Sequence, residues 1–231
     1  MKKIYKIFVL IGFVFLFIGA TNPTLIYTSY TAAIVTKVIQ DVKHKTVDSD
    51  WIQTKPLTQL KSNDLLNTGK RSVAVLKFVD GSILRVRENT TIMIFADKKE
   101  KGLVKNTKLE NGKIVFDVNK QIDDDKFIIT TPTAVATIRG TSGLVETLSD
   151  GSTLLMVETG IVEVESLGDK RETKSIEAGV TSVINPDGSI TTNVTTEEQR
   201  KNFQSSNKTN EKFIQIQTNR GNFRVYYLDS E

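Results

Sequence analysis

Three times the chain writes Asp-Gly-Ser directly ahead of a short apolar run, at residues 80–82, 150–152 and 187–189. In a tight turn of this kind Gly supplies positive φ at no steric cost, and the Asp side chain bonds to backbone just ahead of it. The flanking segments read as strands: Val73 to Val79 before the first tripeptide and Ile83 to Arg87 after it, then Thr153 to Val157 and Ile190 to Val194 after the other two. Asn111-Gly112 marks a further turn ahead of Ile114 to Val118. A chain interrupted this often is predicted to be all-β from Ile34 onward, built from many short strands. The turns are unequally spaced, so no strict sequence repeat announces a solenoid.

Two-residue alternation gives several strands a face each for core and water. Leu84 and Val86 oppose Arg85 and Arg87, and Val162 and Val164 oppose Glu163 and Glu165. Phe127 to Ile129 and Leu154 to Val157 are apolar throughout, which predicts burial on both faces. The tail differs. Thr195 with Glu198 three residues on predicts a capping box and a short polar helix through about Phe203. A polar linker, Ser205 to Glu211, then leads to a terminal hairpin of Phe213 to Gln217 and Phe223 to Leu228 around Asn219-Arg220-Gly221-Asn222.

Lys2, Lys3 and Lys6 precede an apolar run, Ile7 to Ala20, that is short for a membrane span and fits a secretory leader. We therefore expect a signal peptide over residues 1–20 and a periplasmic or secreted protein. An uncleaved anchor is the alternative, extended past Pro23 by Leu25 and Ile26. The leader also accounts for most of the +4 net charge: its three lysines taken from 31 basic side chains leave 28 against 27 acidic ones. That near balance lacks the dense basic face that phosphate neutralisation requires, which excludes nucleic acid as the expected partner. The absence of Cys excludes disulfides, thiol catalysis and Cys-bound zinc.

Taken in order, a set of residues resembles the FecR domain, the periplasmic domain of FecR-type proteins. The opening pattern is Leu60, Asp64, Leu66, Thr68, Gly69, Ser72, Ala74, Leu76, Phe78, Asp80, Gly81, Ser82 and Leu84, followed by Leu109, Gly112, Ile114 and Val118. The most specific piece runs from Thr131-Pro132-Thr133 to Arg139-Gly140-Thr141, and Gly151, Thr153, Val157, Gly160, Val162 and Val164 resemble the closing hairpin, with Ala178-Gly179 after it. The resemblance extends over roughly Ile34 to Ile190. It departs at Gln40 and Asp41, where Gly is expected, and at Gly143, where the family often places an aromatic. It implies a solenoid-like or two-sheet domain over residues 21–194, with the helix and hairpin of 195–231 appended. In regulators of this family the domain follows a cytosolic anti-sigma segment and one membrane span; here only Met1 to Lys6 precede the apolar run. The tail after Asn193 is also short for the additional transporter-contacting domain of some regulators.

Asp80, Gly81, Ser82, Thr131, Pro132, Arg139, Gly140, Thr141 and Gly160 are expected to build the domain rather than to bind. Pro132 lacks an N–H and disfavours helix at Thr131, which suits a strand entry or edge. Trp51, Phe223, Tyr226 and Tyr227 are the candidate partner contacts. Trp51 reads either as a sugar-stacking platform or as a partly buried loop anchor. His44, the sole histidine, sits in a polar run and is expected to be solvated. Asp123-Asp124-Asp125 lacks the alternating ligands of a calcium loop and is expected to be a solvated turn. No catalytic residue, metal or cofactor is assigned. The expected function is a binding or scaffold role toward an envelope protein or glycan, with a component of a sigma/anti-sigma type sensor system second and an enzyme third. Intact-mass analysis of envelope material should find the chain cleaved before Thr21; recovery of full-length protein in the inner membrane alone would establish the anchor.

Overall fold

The computed structural model describes residues 30–122 and 124–208, together with the backbone of residues 211–218 and 221–228. The expected leader and its expected cleavage site lie outside the described residues. Two nine-stranded sheets face each other, and the chain crosses repeatedly between them. In chain order, the strands that enter the first sheet are β1 (Thr31–Ile39), then the other sheet receives β2 (Val42–Lys45) and β3 (Ile52–Gln53), and the chain returns for β4 (Gln59–Lys61). It crosses for β5 (Leu65–Thr68), returns for the hairpin β6 (Val73–Phe78) and β7 (Ile83–Val86), and crosses for β8 (Thr90–Lys99) and β9 (Gly102–Asn111). The rest continues likewise: β10 (Lys113–Val118), then β11 (Lys126–Thr130) with β12 (Ala134–Ile138), β13 (Thr141–Thr147) with β14 (Thr153–Thr159), β15 (Ile161–Ser166) with β16 (Thr173–Glu177), and β17 (Val180–Ile184) with β18 (Ile190–Val194).

The first sheet runs β18-β17-β14-β13-β10-β7-β6-β1-β4 and the second β16-β15-β12-β11-β9-β8-β5-β2-β3. Apart from reversals at β1/β4 and β2/β3, both at the N-terminal end, the two sheets are laid down in chain order. Within these two sheets β9 and β11 pair in parallel and the remaining described pairs are antiparallel. The family-implied choice between solenoid-like and two-sheet forms thus resolves as two stacked sheets built by a zigzag of hairpins.

Crossings are tight, and that sets their backbone. Of the ten crossings between sheets, nine contain a residue at positive φ: Gln40, Leu57, Asn63, Arg71, Asn89, Gly112, Gly140, Gly160 and Gly179. Among the described residues the exception is the long passage from Val118 to Lys126. Gln40 stands at φ 59, so at the position where Gly is expected a larger residue adopts the left-handed conformation itself. Asn111-Gly112, legible as a turn, is a corner: it sends the chain from the second sheet into the first rather than back along its own sheet.

Inward positions fill the space between the sheets. Leu76, Leu84, Phe116, Leu66, Ile92, Ile94, Leu109 and Phe127 are fully buried, and each such side chain contributes about 1.5–3 kcal/mol by leaving water. Phe78 and Phe127 meet across the gap edge to face, ring centroids 4.9 Å apart. Gly143 is explained by the same interior: a Cβ there would fall 2.6 Å from Phe116 Cζ and 2.2 Å from the Met156 carbonyl. The aromatic missing at position 143 would collide with an aromatic that reaches over from β10.

The outer faces of the two sheets differ. Leu154 to Val157 is buried or nearly so on both sides because α1 (Glu197–Asn207) lies over it, with Phe203 packed on Val115, Leu144 and Met156. Phe127 to Ile129 departs from its expectation: Phe127 and Ile129 are buried, but Ile128 faces outward from the second sheet and is partly exposed. The helix is capped one residue later than predicted. Thr196 is the N-cap, Gln199 N donates to its Oγ1 at 3.2 Å and Thr196 N donates to Gln199 Oε1 at 2.8 Å. Thr195 is occupied elsewhere, its hydroxyl 2.9 Å from that of Thr181 on β17. The helix continues to Asn207, past Phe203 and through the first part of the predicted linker. The terminal hairpin forms as β19 (Glu211–Thr218) and β20 (Gly221–Leu228) in regular antiparallel register.

Two glycine corners should respond differently to a methyl group. A Cβ on Gly179 meets nothing within 4 Å, so Gly179→Ala should cost only the left-handed penalty of about 1–2 kcal/mol. On Gly112 a Cβ would fall 2.6 Å from Thr90 Cα and 2.2 Å from Thr90 Oγ1, so Gly112→Ala should add overpacking and lose about 3 kcal/mol or more. Urea denaturation of the two variants measures the contrast.

Candidate binding surfaces

The first Asp-Gly-Ser turn is more than a hairpin tip. Asp80 Oδ1 accepts the Ser82 N–H at 3.0 Å, closing the turn, while its Oδ2 receives Gln121 Nε2 at 3.0 Å and faces Lys105 Nζ at 3.0 Å. Lys105 is completely buried and has Asp125 Oδ2 at 3.6 Å as a second counter-charge. Asn119 ties the passage between sheets to the same turn, its N–H donating to Ser82 Oγ and its Nδ2 to the Asp80 carbonyl. Burial raises the Asp80 carboxyl, but hydrogen bonds from Gln121 and Ser82 and the Lys105 ammonium outweigh it and hold the group below its ordinary range. The other two turns are simpler. Ser152 and Ser189 each donate N–H and Oγ–H to the preceding Asp150 and Asp187.

Thr131, Thr133 and Thr153 form a buried hydroxyl chain between the sheets. Thr133 Oγ1 is 2.7 Å and Thr131 Oγ1 2.8 Å from Thr153 Oγ1 on β14. Pro132 is exposed at the tip between them. At the next corners Thr141 Oγ1 donates to the Ile161 carbonyl at 2.9 Å, and a Cβ on Gly160 would fall 2.7 Å from the Gly140 carbonyl. Arg139 is exposed and lines a shallow cleft of about 410 Å³ on the second sheet with Asp124, Asp125, Lys126, Thr137 and Glu163. The structure thus places most of the motif residues at turns and corners.

His44 corrects its expectation. It points inward from β2, nearly buried, with Nδ1 3.1 Å from Thr54 Oγ1, and burial lowers its pKa against the opposing pull of Asp64. In the acidic run Asp123 lies outside the described residues, while Asp125 is not simply solvated: its Oδ1 accepts Leu103 N–H at 2.7 Å. Among the described residues no group of three or more His, Asp and Glu is placed to hold a metal ion, and no helix is long and apolar enough to cross a membrane.

Surfaces suited to a partner sit at the ends of the sandwich. Among the described residues β4 and β18 have no strand beyond them in the first sheet, nor β3 and β16 in the second. Thr191 to Val194 of β18 are exposed. At the opposite end Trp51 is 43% exposed, and Val47, Ile52 and Leu57 of the same segment are exposed as well. Phe223, Tyr226 and Tyr227 fall on β20 opposite Ile216, Phe213 and Lys212; their side chains lie outside the described residues.

Residues 64–163 match the family described as FecR protein. That span is narrower than the resemblance read from Ile34 to Ile190. Two crystal structures of a protein from Parabacteroides distasonis, provisionally described as an anti-sigma factor, are similar in fold, each with a TM-score of 0.51 and 16% identity. Each match covers 64% of this chain and 66% of the other, just under two thirds of that protein's length. No curated protein matches the chain.

Removing one partner of the buried pair should be costly, because it strands a charge. Asp80→Ala should lose about 3 kcal/mol, Asp125 remaining as a partial counter-charge, and adding Lys105→Met should recover most of the loss. The Asp80 carboxyl is depressed on folding, so its contribution is fully present above the ordinary Asp value of 3.8 and disappears as pH falls through the lower folded value. Acid titrations of unfolding free energy should therefore be flatter in Asp80→Asn than in the wild type over the interval between the ordinary value and the lower folded one.

Proposed function

We propose that this chain is an exported, non-enzymatic FecR-type recognition protein of the bacterial cell envelope, which binds an extended segment of a partner by strand addition at an open sheet edge. The observation that carries this reading is the exposed edge strand β18, whose Thr191 to Val194 carry no lysine or proline and, among the described residues, no further strand of the kind that blunts edges. An extended peptide gains main-chain hydrogen bonds there, with side-chain pockets adding specificity. Envelope proteins are the favoured partners and glycans at Trp51 the alternative.

A second reading, participation in cell-surface signalling of the sigma/anti-sigma type, is favoured by the fold likeness to the Parabacteroides distasonis protein. The two are compatible if the bound segment belongs to a signalling partner. The terminal hairpin then serves either as a cap of the domain or as a docking arm.

Thr191→Lys with Asn193→Lys should leave the melting temperature within a few degrees while abolishing recovery of the partner that the wild type draws from envelope extracts. Retained recovery would remove the edge from the reading. Truncation after Asn207 separates the roles of the hairpin: lowered thermal stability identifies a cap, and unchanged stability with lost recovery identifies an arm.

A further inference from the structure

The outer face of the first sheet carries basic side chains where α1 meets it. Arg85 and Arg87 project from β7 and the residue after it, and Lys113 opens the neighbouring β10. The Nη1 atoms of both arginines are buried and neither has a hydrogen-bond partner. Arg87 lines a cleft of about 420 Å³ beneath the second half of the helix, together with Asn89, Lys113, Glu146, Asn202 and Ser206. Buried guanidinium donors left unpaired are costly, because they forfeit water without replacing it.

The carboxylates nearby are already engaged. Glu146 pairs with Lys113 at 3.1 Å, and Glu88 Oε2 accepts the Arg71 N–H at 2.7 Å. The lining of the cleft thus carries two cations, Arg87 and Lys113, and two carboxylates, Glu88 and Glu146, while Arg85 adds a further positive charge beside Arg87 from outside the lining. Burial lowers the Arg87 pKa; Glu88 opposes that and Arg85 adds to it. Asn202 Oδ1 takes contacts from Lys113 Nζ at 3.4 Å and Ser206 Oγ at 3.2 Å, so the function this amide has left to offer is its NH2. The lining thus offers the partnerless Nη1 of Arg87 and the NH2 of Asn202 as donors.

We infer that the cleft between α1 and the first sheet is a binding site for a single oxyanion group, a phosphate or a carboxylate, received by Arg87 and Asn202, with Arg85 adding positive charge from beside the cleft. The planar guanidinium fork matches such a group with two parallel hydrogen bonds. The site is separate from the open edges, so the reading does not depend on strand addition.

Calorimetric titration of the full mature chain with inorganic phosphate, acetate and glycerol 3-phosphate, at constant ionic strength in chloride, tests it. Saturable binding of at least one is expected, and the three probes distinguish free phosphate, carboxylate and phosphate ester. Arg87→Gln should weaken it about tenfold or more, the loss of one charge-assisted contact, and Arg85→Gln should weaken it less. Without added anion, Arg87→Met should melt at or above the wild-type temperature, since it removes an unpaired buried cation. The proposal is overturned if none of the probes binds saturably, if Arg87→Gln and Arg85→Gln both bind as the wild type does, or if Arg87→Met melts lower with anion absent. That last result would make Arg87 a structural partner of the negative end of α1.

Discussion

The structure depends on how sharply a strand can leave one sheet and enter the other. Nine of the ten crossings turn on a residue in the left-handed region, and two of them, at Gly112 and Gly160, consist of that residue alone. Corners this short leave no slack, so the register of one sheet fixes that of its opposite. A β-strand flips every side chain to the other face if it slips by one residue. Here such a slip would have to break a corner first, and the buried alternation of β6, β7, β10 and β13 is protected at both ends.

Apolar contact fills the interior, but polar ties pin its margins. Lys105 reaches Asp80 from the opposite sheet, and Thr131 and Thr133 reach Thr153 in the same sense. Neither link adds much net stability relative to a well-packed apolar substitute. Each has a geometry that only one pairing of the sheets satisfies. The single long crossing, between Val118 and Lys126, has no left-handed corner among its described residues and is fastened by Asn119, Gln121 and Asp125 to the turn at Asp80 and the start of β9.

The hairpins were legible in the sequence because Asp-Gly-Ser and two-residue alternation are local signals with local causes. The corners were less so. Arg71 and Gln40 adopt positive φ without a composition that announces it, and nothing adjacent to Asn111-Gly112 encodes whether the next strand joins the same sheet or the facing one. Lys43 and Lys45 hid the inward position of His44, though Val42 and His44 do follow the alternation. Lys105 continues the inward series of Thr107 and Leu109, a signal masked by charge. At the helix start Thr195 with Glu198 and Thr196 with Gln199 fit the capping pattern equally well, and the choice came from the Thr181 hydroxyl, a tertiary contact. The cleft beside Arg87 depends on a helix crossing over β10, which no local pattern could place.

Because both sheets are laid down in chain order, nearly every hairpin touches only those before and after it. Such an arrangement behaves as a one-dimensional stack, in which each unit is held by its neighbours on either side. The outermost strands have a neighbour on one side only. Amide protons should accordingly exchange with solvent soonest at β3, β4, β16 and β18 and latest near β9 and β10, so that the backbone groups easiest to release from their own sheet are those at the two ends.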